Sequence, residues 1–479
     1  MMINQNLFAA LICFISSFSY SQFSASYRLT HDQVQQDMNI LYKSISEGVI
    51  EIYWYKDQSE FQSEFDSICN LQNGMPYIEF YREVTRMVSS MGCVHSYVQE
   101  SPMDDYFSEN HDFIPIGVNN TNSETLISFS VGNEIPLGSK LLEINGKTID
   151  QIRSQMFTIY GTDGQITSIP KYGTQNEDFS YFYKHYVDTS QNFKVKFQYP
   201  SGKQEVKILQ GVDWNIISNM PDFEKVKFTE YPYALNIENK IAILNIESSS
   251  RSEYNERKWA KFLDQCFEKI ENEKIDHLII DVRRNSGGWM PHMFHLVEYF
   301  ARSRFVPVTE AWQKNDNYSF MKYSSTPKRD FINNKNRDLD SLIGVAQYDN
   351  WLINVEYVPK KEHFFNGQVY ILAGGETHSA ASRFISAARE YSNPIIIGDY
   401  PGGCYIGGSG GNSATVVLPN SQISVNIALT FFKPGWFDIR QKGSAVKPDH
   451  FIEQEIGNDA AMQFSINLIN QSLTKPKLH

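Results

Sequence analysis

Cysteine is scarce in this chain, with five in 479 residues. Cys13 lies in the apolar N-terminal stretch, and the other four are far apart without CxxC spacing, at Cys69, Cys93, Cys266 and Cys404. Neither a zinc site nor a dense disulfide scaffold is indicated. One or two disulfides remain open, and the sequence does not assign their pairing.

Basic residues are also in deficit: 43 Lys and Arg face 55 Asp and Glu, a formal charge of −12. Such a chain repels a phosphate backbone, and no basic stripe with interleaved aromatics offsets this locally, so we expect no nucleic-acid partner. The sequence also lacks a GxGxxG or P-loop fingerprint. We expect no cofactor and no bound metal.

The first 21 residues carry no charge and contain an apolar run, Leu7 to Ile15, that is too short to span a bilayer comfortably. Small residues, Ser19 and Ser21, follow just before Gln22. Residues 1–21 are therefore predicted to be a signal peptide, with export to the periplasm, cell surface or medium and no stable membrane insertion after cleavage. Because the segment lacks Lys and Arg, an uncleaved N-terminal anchor is the alternative.

What is present favours a multidomain globular protein, with 41% hydrophobic, 14% aromatic and 20% charged residues. Residues 22–105 are predicted to form an N-terminal helical domain, because apolar residues recur at helical spacing. These are Val34, Met38, Leu41, Ile45, Phe80, Val84 and Met87.

Residues 106–225 have the texture of a small β-rich domain, with alternating strands predicted at 124–130 and 193–197. Asn145-Gly146 predicts a tight hairpin turn, because that turn requires positive φ. The segment Gly138 to Gly146 resembles the "G-x-x-L-x-x-I-N-G" stretch of PDZ domains. That resemblance implies peptide binding by strand addition; the alternative is a module that only packs.

Residues 226–479 alternate strands with helices, which predicts an α/β domain with parallel strands. The predicted strands are 241–246, 277–282 and 369–373, with helices at 259–270 and 293–300. A polar segment from Gln313 to Asp340 is an insertion within this domain, either a lid or simple decoration.

A buried strand at 278–282 runs directly into the turn Asn285-Ser286-Gly287-Gly288. Glycines there free backbone N–H groups that can stabilise an oxyanion. The same pattern fits an ordinary strand exit.

The second motif is a strand followed by Gly374-Gly375 and a helix that begins beside Ser379. A nucleophilic Ser379 would develop its oxyanion close to the N–H of Ala380, at the positive end of the helix dipole. Serine is equally a preferred N-cap residue, so a structural role is the alternative.

Together these residues resemble the C-terminal-processing and tricorn-like serine peptidase family. Its motifs "D-x-R-x-N-x-G-G" and "T-x-S-A-x-S" correspond to Asp281–Gly288 and Thr377–Ser382. The resemblance implies a ClpP/crotonase-like βαβ catalytic core beside helical and PDZ-like domains. It also implies Ser379 as nucleophile, with Ala380 and Gly287 or Gly288 as the backbone donors of the oxyanion hole.

The general base requires a separate argument. Cys404 stands where the lysine branch of the family has its catalytic lysine, which leaves Lys433 as the one route to a Ser/Lys pair. The tricorn-like branch uses a histidine from the helical region, and His95 matches that place. A histidine without a role is the alternative for His95, and second-line candidates follow: His378, His292 and His295.

The family resemblance also implies an acid that orients the histidine, from a Glu shortly before a "G-V-x-P-D" segment. Here Lys442 occupies that position, and Asp438 is the nearest upstream carboxylate. Ser96 follows His95 instead of preceding it, so a relay through its hydroxyl is not implied. The orienting residue stays open.

The sequence therefore predicts an exported serine peptidase that acts on peptides or proteins through Ser379 and His95. The alternative is a peptide- or ligand-binding protein on the same fold, because the lysine and the acid of the family are both absent. Cleavage specificity and oligomeric state are not predicted.

Overall fold

The computed structural model describes a mixed α/β protein over residues 27–103, 107, 112–220, 233–252, 255–314, 317–326, 344–345, 352–455 and 458–474. The predicted signal peptide lies outside these residues, as do positions 315–316 and 327–340 of the polar insertion. Within the described ranges, no helix is long and apolar enough to cross a membrane.

The described α-helices are α1 (His31–Gly48), α2 (Gln58–Cys69), α3 (Tyr77–Ser89), α4 (Ile149–Phe157), α5 (Ser168–Tyr172), α6 (Asn176–Tyr186), α7 (Trp214–Ile217), α8 (Glu256–Asn272), α9 (Met290–Val297), α10 (Ala380–Tyr391) and α11 (Ala460–Thr474). The described strands are β1 (Arg28–Leu29), β2 (Met75–Pro76), β3 (Tyr97–Glu100), β4 (Ile116–Asn120), β5 (Thr125–Ser130), β6 (Lys140–Ile144), β7 (Lys147–Thr148), β8 (Asn192–Gln198), β9 (Gln204–Gln210), β10 (Tyr233–Glu238), β11 (Ile241–Ile246), β12 (His277–Asp281), β13 (Glu310–Gln313), β14 (Gly344–Val345), β15 (Gln368–Ala373), β16 (Ile395–Gly398), β17 (Gly408–Ser409), β18 (Ser413–Val417), β19 (Ser424–Ala428), β20 (Phe431–Lys433) and β21 (His450–Phe451).

The N-terminal helices α1 to α3 pack around one apolar core, which confirms the helical spacing read from the sequence. Helix α1 begins with a reciprocal capping box, in which Gln33 N–H donates to Thr30 Oγ1 and Thr30 N–H donates to Gln33 Oε1. The core also takes in side chains from β18 and β19, far along the chain. These two strands form an antiparallel sheet with β3.

The β-rich region forms one sheet in the order β4-β5-β6-β8-β9, with β7 paired to β6. The predicted tight turn after β6 is confirmed, with φ of 50° at Asn145 and 83° at Gly146. Helix α6 packs against β4, and Val118 of β4 forms a β-bridge with Asn176. The outer edge of β4 is therefore occupied by the chain itself at that point.

The C-terminal region is built on a six-stranded sheet in the order β10-β11-β12-β15-β16-β21. The five strands from β11 to β21 are parallel, as predicted, and β10 is antiparallel to β11. Helices α8, α9 and α10 share an apolar core with one face of this sheet, and α11 packs on the other. The carboxyl ends of β12 and β15 lie side by side, because Asp281 is in register with Leu372.

The four cysteines at 69, 93, 266 and 404 are free and buried. In the described part of the polar insertion, Phe320 is buried in the N-terminal core and Ser319 N–H donates to Glu47 Oε2 at 2.7 Å. This part of the insertion packs on α1.

One buried carboxylate, Asp37 of α1, ties the N-terminal helices to the turn between β18 and β19. Its Oδ2 accepts from Ser421 N–H at 2.8 Å, and its Oδ1 accepts from Asn420 N–H at 3.1 Å, across a separation of 383 residues. The side chain is fully buried.

We expect Asp37→Ala to lower the free energy of unfolding by about 2–4 kcal/mol, because each buried donor left without an acceptor costs about 1–3 kcal/mol. Urea unfolding followed by tryptophan fluorescence measures this change. Asp32→Ala, an exposed carboxylate in the first turn of the same helix, is the control and should cost less than about 1 kcal/mol. Equal losses in the two variants would contradict the assigned role of Asp37.

Candidate active site

Ser379 lies in a sharp turn between strand β15 and helix α10, with φ of 51° and ψ of −126°. This conformation is the mirror image of an ordinary extended one and is strained for a residue with a Cβ. The Ser379 side chain makes no capping hydrogen bond to α10. The N-cap interpretation therefore does not account for this serine, and its hydroxyl is left for another role.

Thr377 holds this turn in place. Its Oγ1 donates to Val282 O at 2.8 Å and accepts from Gly374 N–H at 3.1 Å. Its carbonyl accepts from Gly402 N–H at 2.8 Å and from Ser382 Oγ at 2.7 Å. These bonds fix the turn to the end of the parallel sheet and supply the contacts that hold a strained residue.

His95 approaches the turn from the N-terminal region, and its Nε2 lies 3.2 Å from Ser379 Oγ. The histidine immediately precedes Ser96 and strand β3. Asn426 Nδ2 donates to His95 O at 2.7 Å, and Ala428 N–H donates to Ser96 Oγ at 3.0 Å. The pairing of β3 with β19 therefore positions the backbone that carries the imidazole.

The other ring nitrogen of His95, Nδ1, is buried and has no hydrogen-bond partner among the described residues. Burial lowers the pKa of His95 to about 4, and the charge of Asp163 acts in the opposite direction. His378 and Arg383 add to the lowering of this pKa. The imidazole is therefore neutral at physiological pH.

Asp163 is a buried carboxylate close to this histidine. Its Oδ1 accepts from Val94 N–H at 3.1 Å, and its Oδ2 accepts from Cys404 N–H at 3.4 Å. Arg383 Nη1 donates to Cys404 O at 2.7 Å. Burial raises the pKa of the Cys404 thiol, which gives the position of the family's lysine a neutral group.

The glycine turn after β12 lies directly against Ser379. A Cβ at Gly287 would come within 2.6 Å of Ser379 Cβ and 3.0 Å of Ala380 N, and its φ is 107°. Only glycine fits there. Gly287 N–H donates to Asn285 Oδ1 at 2.8 Å. In the described part of the chain, the N–H groups of Gly288 and Ala380 have no acceptor.

The second-line bases make their contacts elsewhere. Lys433 Nζ donates to Glu310 Oε1 at 2.5 Å, and His295 Nδ1 lies 2.8 Å from Glu298 Oε2. His292 is buried and stacks on Trp259. The ring of His378 points back to Glu376 O, with Nδ1 at 3.0 Å.

The position at which the resemblance implies an acid, and the nearest carboxylate before it, both lie at the surface. Asp438 accepts from Arg440 Nη2 at 2.7 Å, and Lys442 is exposed. Ser96 Oγ accepts from Ala428 N–H and lies 3.6 Å from Cys93 Sγ.

The sequence does not reveal Asp163 or Asn426, because neither belongs to a motif and both meet His95 only through tertiary contacts.

The strained backbone at Ser379 predicts an inverted order of stability between two variants. Glycine adopts this conformation without strain, so Ser379→Gly should gain about 1–3 kcal/mol in the free energy of unfolding. This gain exceeds the usual entropic cost of glycine, about 0.5–1 kcal/mol. We therefore expect Ser379→Gly to be about 1 kcal/mol more stable than Ser379→Ala in urea unfolding.

Ser386, in the interior of the same helix, provides the matched comparison. There, Gly should be less stable than Ala by about 1 kcal/mol, as in any helix interior. If glycine were the less stable substitution at both positions, the turn at Ser379 would not be strained.

The model of peptidase family S41 matches residues 240–451, which include the glycine turn and Ser379 but not His95 or Asp163. No curated protein matches the chain in sequence.

Three solved structures match this chain, and the first two, with TM-scores above 0.6, have a similar fold. Mature CPAF complexed with lactacystin superposes with a TM-score of 0.62 at 12% identity, covering 92% of this chain and 97% of that one. A second structure of mature CPAF gives 0.61 at 11% identity, covering 92% and 96%. The photosystem II D1 C-terminal processing protease gives 0.40 at 11% identity, covering 89% and 98%.

At these identities the CPAF structures show a shared fold, and the family match supplies the relationship that the Ser379 and glycine-turn motifs predicted. The match therefore assigns the region 240–451, which carries both motifs, to peptidase family S41.

Proposed function

We propose that this protein is a serine peptidase that hydrolyses peptide bonds through an acyl-enzyme on Ser379, with His95 as the general base. The observation that carries the proposal is the 3.2 Å contact between His95 Nε2 and Ser379 Oγ. A base within hydrogen-bond reach of the nucleophile is the geometric requirement for this chemistry. Family membership supports peptides or proteins as the substrate class.

In the proposed reaction, Ser379 Oγ attacks the scissile carbonyl while its proton passes to His95 Nε2. The tetrahedral intermediate then collapses, and the same nitrogen returns the proton to the leaving amine. Water then adds to the acyl carbonyl as it loses a proton to His95, and His95 returns that proton to Ser379 Oγ when the acid product leaves. The imidazole is suited to this cycle because burial keeps it neutral and able to accept a proton.

For the oxyanion, we propose the N–H groups of Ala380 and Gly288 as donors. Both lack a protein acceptor in the described structure, whereas Gly287 N–H already donates to Asn285 Oδ1. The role we propose for Gly287 is close approach, because a side chain there would displace Ser379. A donor of this kind is worth about 2.7–4 kcal/mol of barrier.

One observation favours a second candidate function, that of a peptide-binding protein with little turnover. His95 Nδ1 has no acceptor among the described residues, whereas catalytic histidines are usually oriented through that atom. Such a protein would bind peptides without cleaving them. Reactivity of Ser379 separates the two functions.

We expect Ser379→Ala to abolish both covalent labelling by a fluorophosphonate probe and hydrolysis of a peptide library. His95→Ala should slow labelling by about 10²–10⁴-fold, because general-base assistance contributes that much. Mass spectrometry of the labelled tryptic peptide identifies the modified residue. His295→Ala, which removes a partly exposed histidine paired with Glu298, is the control and should label like the parent protein.

Labelling that persists in Ser379→Ala would reject this serine as the nucleophile. Saturable peptide binding without labelling or cleavage in the parent protein would establish the binding function instead.

The buried state of His95 predicts the pH dependence of labelling. Burial disfavours the imidazolium and lowers the pKa of His95 from the ordinary value of 6.5 to about 4. The imidazole therefore stays neutral, and able to act as a base, at pH values below 6.5. The labelling rate should therefore rise with pH through an apparent pKa of about 4 and stay flat through neutral pH. Rates measured in a series of buffers at constant ionic strength test this, and an acid limb at 6.5 or above would contradict it.

A further inference from the structure

His95 lacks the acid that its family pattern would supply, and this inference rests on the function proposed above. Lys442 and Asp438 lie at the surface, and Asp438 is paired with Arg440. The Nδ1 atom of His95 is nevertheless buried. The imidazolium formed during the reaction therefore needs a negative charge from another part of the chain.

Asp163 is the carboxylate that the fold brings to this place. It is 4% exposed and comes from the loop between helices α4 and α5. Its Oδ1 accepts the N–H of Val94, the residue immediately before the histidine. The loop runs along the same segment, because a Cβ at Gly161 would lie 3.6 Å from Val94 Cα and 3.7 Å from Ser96 O.

We propose that Asp163 is the positioning residue of His95, holding the backbone at Val94 and neutralising the imidazolium with its carboxylate. It acts through His95 and touches neither the substrate nor Ser379. It thereby takes the role of the acid that is missing near Lys442, from a different region of the chain.

The electrostatics around the ring agree with this assignment. Asp163 raises the pKa of His95, against the lowering by burial, His378 and Arg383. Asp163 also interacts with Glu51, Cys93, Cys404, Tyr55 and Arg383. Among the described residues, Asp163 is thus the carboxylate whose charge acts on the histidine.

Arg383 explains how such a carboxylate is accommodated in the interior. Arg383 Nη2 and Asp163 Oδ2 both lie next to Gly408. A Cβ built on Gly408 would be 2.5 Å from Arg383 Nη2 and 3.4 Å from Asp163 Oδ2. Arg383 is itself buried, with 6% exposure. The two opposite charges offset part of the cost of burying each other.

In the proposed step, the proton of Ser379 Oγ–H moves to His95 Nε2 as the Oγ–carbon bond forms. The positive charge then resides on the imidazole, and the Asp163 carboxylate faces it without accepting the proton. When the amine leaves, the proton departs with it, and the charge on the ring is lost. Asp163 lowers the energy of the charged state alone.

The test is Asp163→Asn, which keeps an oxygen acceptor for Val94 N–H and removes the charge. We expect labelling by the fluorophosphonate probe to slow by at least about 10-fold at neutral pH. The acid limb of the rate should also move to lower pH than in the parent, because the imidazolium loses its neighbour. Tryptophan fluorescence at each pH restricts the fit to conditions in which the variant is folded.

The Asp163→Asn variant leaves Arg383 without its neighbouring negative charge, so it could fail to fold. A second pair of variants tests the inference in that case. The double variant Asp163→Asn with Arg383→Gln removes both charges and keeps a donor for Cys404 O. Compared with Arg383→Gln alone, it should again label more slowly and with a lower acid limb.

Asp188→Asn is the matched control, because this carboxylate also accepts several hydrogen bonds, from Asn145 and Ser190. It should lose stability without moving the acid limb. If the loss of Asp163 leaves the acid limb where it is in both comparisons, whatever the rate, the inference is overturned. Labelling that survives Ser379→Ala would instead reject the proposed function itself.

Discussion

The hydrogen bond between His95 Nε2 and Ser379 Oγ joins two residues that lie 284 positions apart, and it depends on how two cores meet. On one side, the parallel sheet fixes the Ser379 turn through Thr377 and Val282. On the other, the segment carrying His95 leads into β3, which pairs with β19. Strand β19 packs in the same core as α1 to α3. The contact therefore forms only when both halves of the chain are folded.

The turn at Ser379 combines strain with close packing. A non-glycine residue at φ of 51° is retained because the bonds to Thr377 leave the backbone no alternative. Opposite it, Gly287 permits an approach that any side chain would prevent. The strain directs the hydroxyl of Ser379 away from the helix it precedes and toward His95. A serine that merely capped α10 would need neither feature.

The buried charges beside His95 give a reason for Cys404. Arg383 already supplies a buried cation, and burial raises the pKa of Glu51 to about 7, which weakens that carboxylate as a counter-charge. A lysine at position 404 would place a second cation beside Asp163. A neutral thiol there leaves Asp163 to interact with Arg383 and the histidine, which suits a histidine base better than a lysine base.

The sequence by itself determined the local features: the amphipathic helix at 31–48, the Asn145-Gly146 turn, the parallel α/β core, and the motifs around Gly287 and Ser379. These follow from periodicity and turn chemistry, which depend on neighbouring residues. A family motif predicted His95 as the base among the histidines. Only the tertiary structure decided what surrounds that histidine. Asp163, Asn426 and the strands β18 and β19 reach it across long separations, and no local pattern encodes a contact that requires the closure of long loops.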